Sequence, residues 1–328
     1  MSRYIGKRLM LMIPVLLVIS FISFLVITLP PGDFVDAYVQ RQRELGHAIT
    51  VADELALRQR YGLDDPFLVQ YFHWITGFLT GNLGTSLAMQ APVSRLIWER
   101  LPITVLIGAL SFVLVNALAI PIAVLSAVRQ YSIADYVFTI IGFIGMGIPD
   151  FILATVTMWA IYTATGNTNL GIQSPQFVGQ PVSAALVLDL VSHLWLPALI
   201  AATTGTAATI RTLRANLLDE LDKPYVVVAR AKGLPRRHLL FRYPVRMAMT
   251  PFVVGLAGVL PALVSGELMV SITLGIPSLA PLLLTALQVQ DLVLAADILM
   301  ILAVLSVVGI LLSDLMLAML DPRIRQEA

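Results

Sequence analysis

Residues 222–235 read Asp222-Lys223-Pro224-Tyr225-Val226-Val227-Val228-Ala229-Arg230-Ala231-Lys232-Gly233-Leu234-Pro235. The run predicts a short helix with both ends written into it. Asp222 is placed to cap the first amides, and Pro224 suits the first turn, where its missing N–H costs nothing. Gly233 supplies the left-handed residue that closes the helix, Leu234 can pack back on it, and Pro235 blocks continuation. Long apolar stretches lie on either side. The interval 211–249 between them carries nine of the chain's 21 Lys and Arg. A capped helix in a basic loop, set in an otherwise hydrophobic chain, implies a membrane domain that holds one defined surface outside the bilayer.

Composition agrees. The 328 residues are 58% hydrophobic and 12% charged, with a mean hydropathy of +0.86, outside the range of soluble domains. The chain has no cysteine, which excludes disulfides, thiolate metal sites and a Cys nucleophile. Crossing ~30 Å of hydrocarbon takes about 20 helical residues. Six runs meet that length: Leu9–Leu29, Ile103–Val128, Tyr136–Thr165, Ala184–Ile210, Thr250–Ile272 and Leu292–Leu312. They are continuously apolar and too long for barrel strands. The first follows Arg3, Lys7 and Arg8 as a signal peptide would, but it ends in Pro30-Pro31 rather than a cleavage site, so it reads as an uncleaved anchor.

The bases set the expected orientation. The N-tail has three, Arg129 stands alone between spans two and three, the 211–249 loop has nine, and the tail has Arg323 and Arg325. The loops 166–183 and 273–291 have no Lys or Arg. Both termini and the basic loop are therefore expected on the cytoplasmic side. Residues 1–29 form the N-tail and first span, 30–102 an external segment, and 103–328 the core with its cytoplasmic loop. Within the external segment a helix is expected near Thr50–Arg60, then a turn at Gly62–Pro66. Phe67, Tyr71, Phe72, Trp74 and Phe78 then mark a helix on the membrane interface, an aromatic anchor or also a platform for an external partner.

The 224–232 helix exposes Tyr225, Val226, Val228 and Ala229 beside Arg230 and Lys232 on this reading, a small apolar knob with a basic rim suited to a protein interface. The competing reading is a basic segment touching anionic lipid, which needs no defined helix end. Three acids fall inside spans: Asp150 after Ile148-Pro149, Glu267 in span five and Asp297 in span six. Ionisable groups in the bilayer are costly and face a cavity or a partner. Asp150 can cap the half-helix after Pro149 or line a pathway. Glu267 and Asp297, expected at similar depth, can line a pathway, snorkel to the interface or pair with a second membrane subunit. The Asp189/His193 pair, four residues apart, reads as a structural hydrogen bond. No Gly-x-x-x-x-Gly-Lys-Ser/Thr loop occurs, and no hydrolase signature, so the chain is not expected to be an enzyme.

Motifs along the whole chain carry a family resemblance. They are Arg3-Tyr4-Ile5 with Arg8-Leu9, Gly81-Asn82-Leu83-Gly84-Thr85-Ser86, Pro92-Val93 and Leu101-Pro102-Ile103-Thr104. Further on come Ile148-Pro149-Asp150-Phe151, Leu196-Pro197-Ala198-Leu199, Ala229-Arg230-Ala231-Lys232-Gly233-Leu234 with Pro251, and Leu320-Asp321-Pro322-Arg323. The chain resembles the permease subunits of binding-protein-dependent ABC importers of the dipeptide, oligopeptide and nickel type, first-permease subunit. The resemblance implies an all-α protein of six transmembrane helices in a bacterial or archaeal plasma membrane. It implies that Tyr225, Val226, Ala229, Arg230, Ala231, Lys232, Gly233 and Leu234 belong to the element that docks into the ATPase. It also implies as partners a second similar permease, two ABC ATPases that hold ATP and Mg, and a periplasmic or lipid-anchored solute-binding protein. The lipid bilayer is the surrounding medium, and neither a cofactor bound by this chain nor nucleic acid is implied. Residues 271–280, Ser-Ile-Thr-Leu-Gly-Ile-Pro-Ser-Leu-Ala, depart from the family's Pro-Gly-Leu-Gly turn, with Glu267 one helical turn earlier than usual. The expected solute is a di- or oligopeptide, with oligosaccharides or metal chelates as the alternative and an ion-coupled secondary transporter as the rival architecture.

Overall fold

The computed structural model describes residues 2–29, 32, 34–44, 46, 49–86, 88–166, 172–181, 183–249 and 267–320. Most of them are helical. Four helices are long and apolar enough to cross a membrane: α1 (Ser2–Thr28), α5 (Val93–Val128), α8 (Ala184–Leu221) and α13 (Leu292–Leu320). Two broken pairs add to these, α6 (Ile133–Gly147) with α7 (Asp150–Thr165) and α11 (Glu267–Leu274) with α12 (Leu279–Gln288), giving up to six spans if each pair counts as one. The span expected over Thr250–Ile272 falls largely on residues 250–266, outside the described residues. So do Pro30, Pro31, Asp33, Pro251 and the terminal Asp321-Pro322-Arg323.

Several boundaries differ from the sequence reading, among them the start of α5, which is helical from Val93 rather than from Ile103. The stretch 136–165 is not one continuous helix, because α6 and α7 meet at a bend of 99°. Ile148 is forced into the extended region by the proline that follows it, and Pro149 has no N–H to continue the ladder. Helix α8 runs on past Ile210 to Leu221; its 38 residues span about 57 Å at 1.5 Å each, well beyond the hydrocarbon. The interval 273–291 contains a helix rather than only a loop: α12 starts after the positive-φ Gly275 and buries Leu279, Ala280, Leu282 and Ala286.

Contacts divide the chain into two compact units. One comprises Gly6–Ile103 and Pro277–Val307. Its short helices are α2 (Phe34–Glu44), α3 (Val51–Tyr61) and α4 (Phe67–Thr80). Helix α3 begins where the Thr50/Asp53 capping box satisfies two first-turn amides and ends at the left-handed Gly62, as the sequence indicates. Val35 and Val39 of α2 bury against Leu57 of α3 and Leu63. The aromatic helix α4 does more than rest on an interface. Tyr71 and Ile75 are buried against Phe24 of α1 and against Ala296 and Met300 of α13. Trp74 stacks on Phe24 with centroids 5.3 Å apart, and the Tyr71 hydroxyl lies 2.8 Å from Ser20 Oγ. A second cluster joins Val93 and Ile97 of α5, Leu282 and Ala286 of α12, and Leu294 and Ile298 of α13.

One pair of short strands interrupts the helices. β1 (Thr85–Ser86) pairs antiparallel with β2 (Ala91–Pro92), Thr85 opposite Pro92. This ladder presents Ser86 to Asp291, the fully buried residue just before α13. Ser86 Oγ donates at 2.7 Å and the Ala88 amide at 3.1 Å to Oδ2, while Oδ1 accepts the Leu294 amide at 3.2 Å. Asp291 is thus a helix cap and a tie to the Gly81–Ser86 motif at once.

The other unit comprises Met1–Ile5, Thr104–Ile276 and Val308–Ala328. Ala123 and Ala127 of α5 pack with Leu213 and Leu217 of α8 and with Val245 and Ala248. Ala154 of α7, Ile200 and Ala201 of α8 and Val270 of α11 form a second cluster. Gly145 of α6 lets α8 approach closely, since a Cβ there would stand 3.2 Å from Thr203 Cγ2. Arg214 of α8 reaches Asp135, near the start of α6, with two bonds of 2.8 Å.

Candidate functional site: the basic loop and the membrane acids

Helix α9 (Pro224–Ala231) and helix α10 (Arg236–Arg242) form the loop that the sequence singles out. Lys223, extended and without a side-chain hydrogen bond, is the N-cap of α9; Asp222 instead ends α8, so the expected Asp222 cap is not the one used. Pro224 occupies the first turn as anticipated. The C-terminus closes as a Schellman motif: Gly233 has φ +76°, its amide donates to the Arg230 carbonyl at 3.0 Å, and the Leu234 amide donates to the Ala229 carbonyl at 3.5 Å. Leu234 packs back on Val226, Ala229 and Leu239.

That packing corrects the expected outer face. Val226 and Ala229 are not exposed; they are the inner side of α9, buried against Leu239 of α10. The face turned outward carries Tyr225, Val227 and Val228, with Arg230, Ala231, Lys232 and Gly233 exposed beside them. Val227, which the sequence reading left out, lies one position from Val226 and therefore about 100° round the helix. The knob with a basic rim survives, rotated by one residue. Burial, and then the bond its hydroxyl donates to the Glu220 carboxylate, push the Tyr225 phenol up, so it stays protonated and ties α9 to the last turn of α8. A cavity of about 510 Å³ adjoins the helix, walled by Val128, Leu221, Val227 and Leu234 and flanked by Arg230 and Arg236.

Each of the three acids has a hydrogen-bond donor of its own. Asp150 is half-buried in the first turn of α7 and accepts a bond of 3.0 Å from Thr204 Oγ1 of α8. It is not the cap residue: Pro149 holds that position without a side-chain bond, while the Asp150 charge still suits the positive helix end. Glu267, 2% exposed, accepts from Ser271 Oγ at 2.8 Å. Asp297, 1% exposed, accepts from Trp74 Nε1 at 2.8 Å. Glu267 and Asp150 belong to the second unit and Asp297 to the first. His193 Nδ1 lies 2.8 Å from the Asp189 carbonyl, whereas the Asp189 carboxylate is taken by the Ser174 amide at 2.7 Å and hydroxyl at 2.5 Å. Sequence reasoning missed Asp135–Arg214 and Asp291. Asp291 ahead of a long apolar run is a helix-start signal; the Asp135–Arg214 pair, 79 positions apart, leaves none.

Comparison with known proteins bears on the whole chain. Residues 119–326 match the model for "Binding-protein-dependent transport system inner membrane component", and residues 1–111 match that for the N-terminal part of such components. The chain is 34% identical over 325 residues to the oligopeptide transport system permease protein AppB of Bacillus subtilis, covering 99% of each. It is 30% identical over 326 residues to a putative peptide permease protein of Brucella ovis, with 99% of each covered. With the dipeptide transport system permease protein DppB of Escherichia coli it shares 28% identity over 343 residues, the whole of both chains. All three are named as permeases, the membrane part of a transport system rather than an enzyme. A predominantly helical architecture with apolar helices of membrane-crossing length, and matches to such models over residues 1–111 and 119–326, lead to one assignment: the chain belongs to the family of binding-protein-dependent transport system inner membrane components.

Proposed function

We propose that this chain is half of the translocation pore of an ATP-driven importer for di- and oligopeptides, paired with a second permease and moved by two ATPases. The outward face of α9 carries this reading: Tyr225, Val227 and Val228 beside Arg230 and Lys232, on a helix that opens at Pro224 and is closed at Gly233. A helix docked on α10 and tied through Tyr225 to α8 is a rigid lever, because displacement of α9 must be passed to the 38-residue helix behind it. The cavity beside Val227, lined by Arg230 and Arg236 with Asp222 between apolar walls, suits a mixed apolar and charged surface of the ATPase. No nucleotide-binding loop occurs in the sequence, which is consistent with ATP and Mg held by the partners. In the cycle, ATP closes the ATPases, α9 moves with them, the spans rock to receive peptide from a solute-binding protein, and hydrolysis resets them. The relatives' names supply the solute class. Of the three acids, Asp150 is assigned to the pathway, since it is half-buried whereas Glu267 and Asp297 are fully buried. Uptake of labelled dipeptide by vesicles holding the complete complex tests the reading: it should require ATP on the ATPase side and the binding protein on the other. Uptake driven by a proton gradient without ATP would overturn it.

The orientation follows from the bases. With no native cysteine, single cysteines report position directly. Gln288→Cys, at the exposed end of α12, is expected to react with an impermeant maleimide from outside the cell, and Arg237→Cys only after the membrane is opened. The reverse pattern would place α9 on the side without ATP.

A further inference from the structure

The break between α6 and α7 gathers acceptors and no cation. Asp150, in the first turn of α7, is half-buried. Its Oδ1 accepts from Thr204 Oγ1 of α8 at 3.0 Å, while Oδ2 makes no hydrogen bond among the described residues. Unlike Asp297 Oδ2 it is not enclosed, and Thr204 beside it is exposed. No Lys or Arg occurs between Arg129 and Arg211, so α6, α7 and α8 as far as Arg211 offer Asp150 no base. The break itself adds acceptors. Pro149 has no N–H for the Gly145 carbonyl and Ile148 is extended, so α6 ends, within five residues of Asp150, in carbonyls that lack helical donors and at the negative end of its dipole. Gly147, three residues before Asp150, adds no side chain, and a Cβ there would meet nothing within 4 Å. A carboxylate with exposed surface inside a span is costly against lipid and calls for water or a cation. The carbonyl end of a broken half-helix is the element that receives cations at membrane depth. A divalent metal asks for six or more oxygens in a set array. A primary ammonium has three N–H donors, which one carboxylate oxygen and two carbonyls satisfy.

We propose that Asp150 holds the α-ammonium group of a peptide as the solute crosses the membrane interior, with Oδ2 accepting one N–H while Thr204 keeps Oδ1 in place. This rests on the importer reading and narrows it to the charge of the solute. Two cysteine reporters in the purified complete complex test it. They are Thr204→Cys, and Ala208→Cys, exposed one turn further on the same face of α8, which leaves the Thr204 bond intact. Relative to their rates with a free thiol, aminoethyl methanethiosulfonate should modify both reporters faster than the sulfonatoethyl reagent, by about tenfold at Thr204→Cys. Asp150→Asn should remove that preference, and Asp150→Glu should keep it. Ethylammonium and dialanine should slow modification. Ethanol, N-acetyl-dialanine and sodium ion at equal concentration should not, and none should act in the Asp150→Asn background. Absence of a charge preference at both reporters would overturn the proposal, as would slowing by sodium equal to that by ethylammonium, or slowing by ethylammonium without slowing by dialanine. Dipeptide uptake by vesicles of the same preparation separates the two readings. If ATP-driven uptake persists while the reporters fail, the proposal alone falls; if uptake needs no ATP, the importer reading falls.

Discussion

Asp135→Ala is expected to destabilise the membrane domain by about 3 kcal/mol, toward the lower end of the range for breaking a buried ion pair because Arg214 keeps some exposure. Asp135 is 3% exposed and holds the Arg214 guanidinium through two bonds of 2.8 Å, with a third from the Tyr131 amide at 3.0 Å. Removing the carboxylate leaves Arg214 charged inside α8 and frees the turn that starts α6. The loss should appear as an earlier transition in denaturant titration of the detergent-solubilised protein. Arg214→Leu combined with Asp135→Ala should recover most of it, since two apolar side chains leave no buried charge behind. Stability of Asp135→Ala equal to that of the unaltered protein would show that the pair is ornamental.

Gly233→Val is expected to reduce peptide-stimulated ATP hydrolysis by about tenfold while the spans stay folded. A Cβ at Gly233 would meet nothing within 4 Å, so space is not the constraint. The backbone is: φ is +76°, a conformation that costs an L-residue about 1–2 kcal/mol and a β-branched one the most. If that strain opens the Schellman closure, the order of defects is set by left-handed tolerance alone. Asn should be mild, Ala intermediate and Val severe. Solute-stimulated ATPase activity in vesicles reads the series directly. Equal stimulation across the three would mean that the closure of α9 has no part in coupling.

Much of this architecture could be read from the residues because local chemistry determines it. Apolar runs of span length, the Thr50/Asp53 box ahead of α3, Pro224 at the start of α9 and Gly233 at its end each act within a few positions. What the sequence hid is set by rotation and by distance. Whether Val226 or Val227 faces outward depends on where α10 lands, and that contact is fixed by Leu239 thirteen residues further on. Asp222 and Lys223 compete for one cap, and the αR geometry of Asp222 that ends α8 settles it. The partners of the membrane acids were the least legible. Asp297 meets Trp74 across 223 positions of chain, a pairing that no periodicity announces. Its carboxylate answers to a helix that the residue pattern reads as an interfacial anchor or also as a platform for an external partner.

The outward face of α9 as the ATPase contact is the claim on which the importer account stands. Val228→Cys provides its most direct test, because it is 53% exposed on that face and the chain offers no other thiol. Labelled with a benzophenone maleimide in the assembled complex and irradiated, it should capture an ATPase subunit, and Val226→Cys, buried on the inner side, should capture none. Capture of lipid or of no protein at Val228, with ATP-driven uptake still intact, would contradict the account.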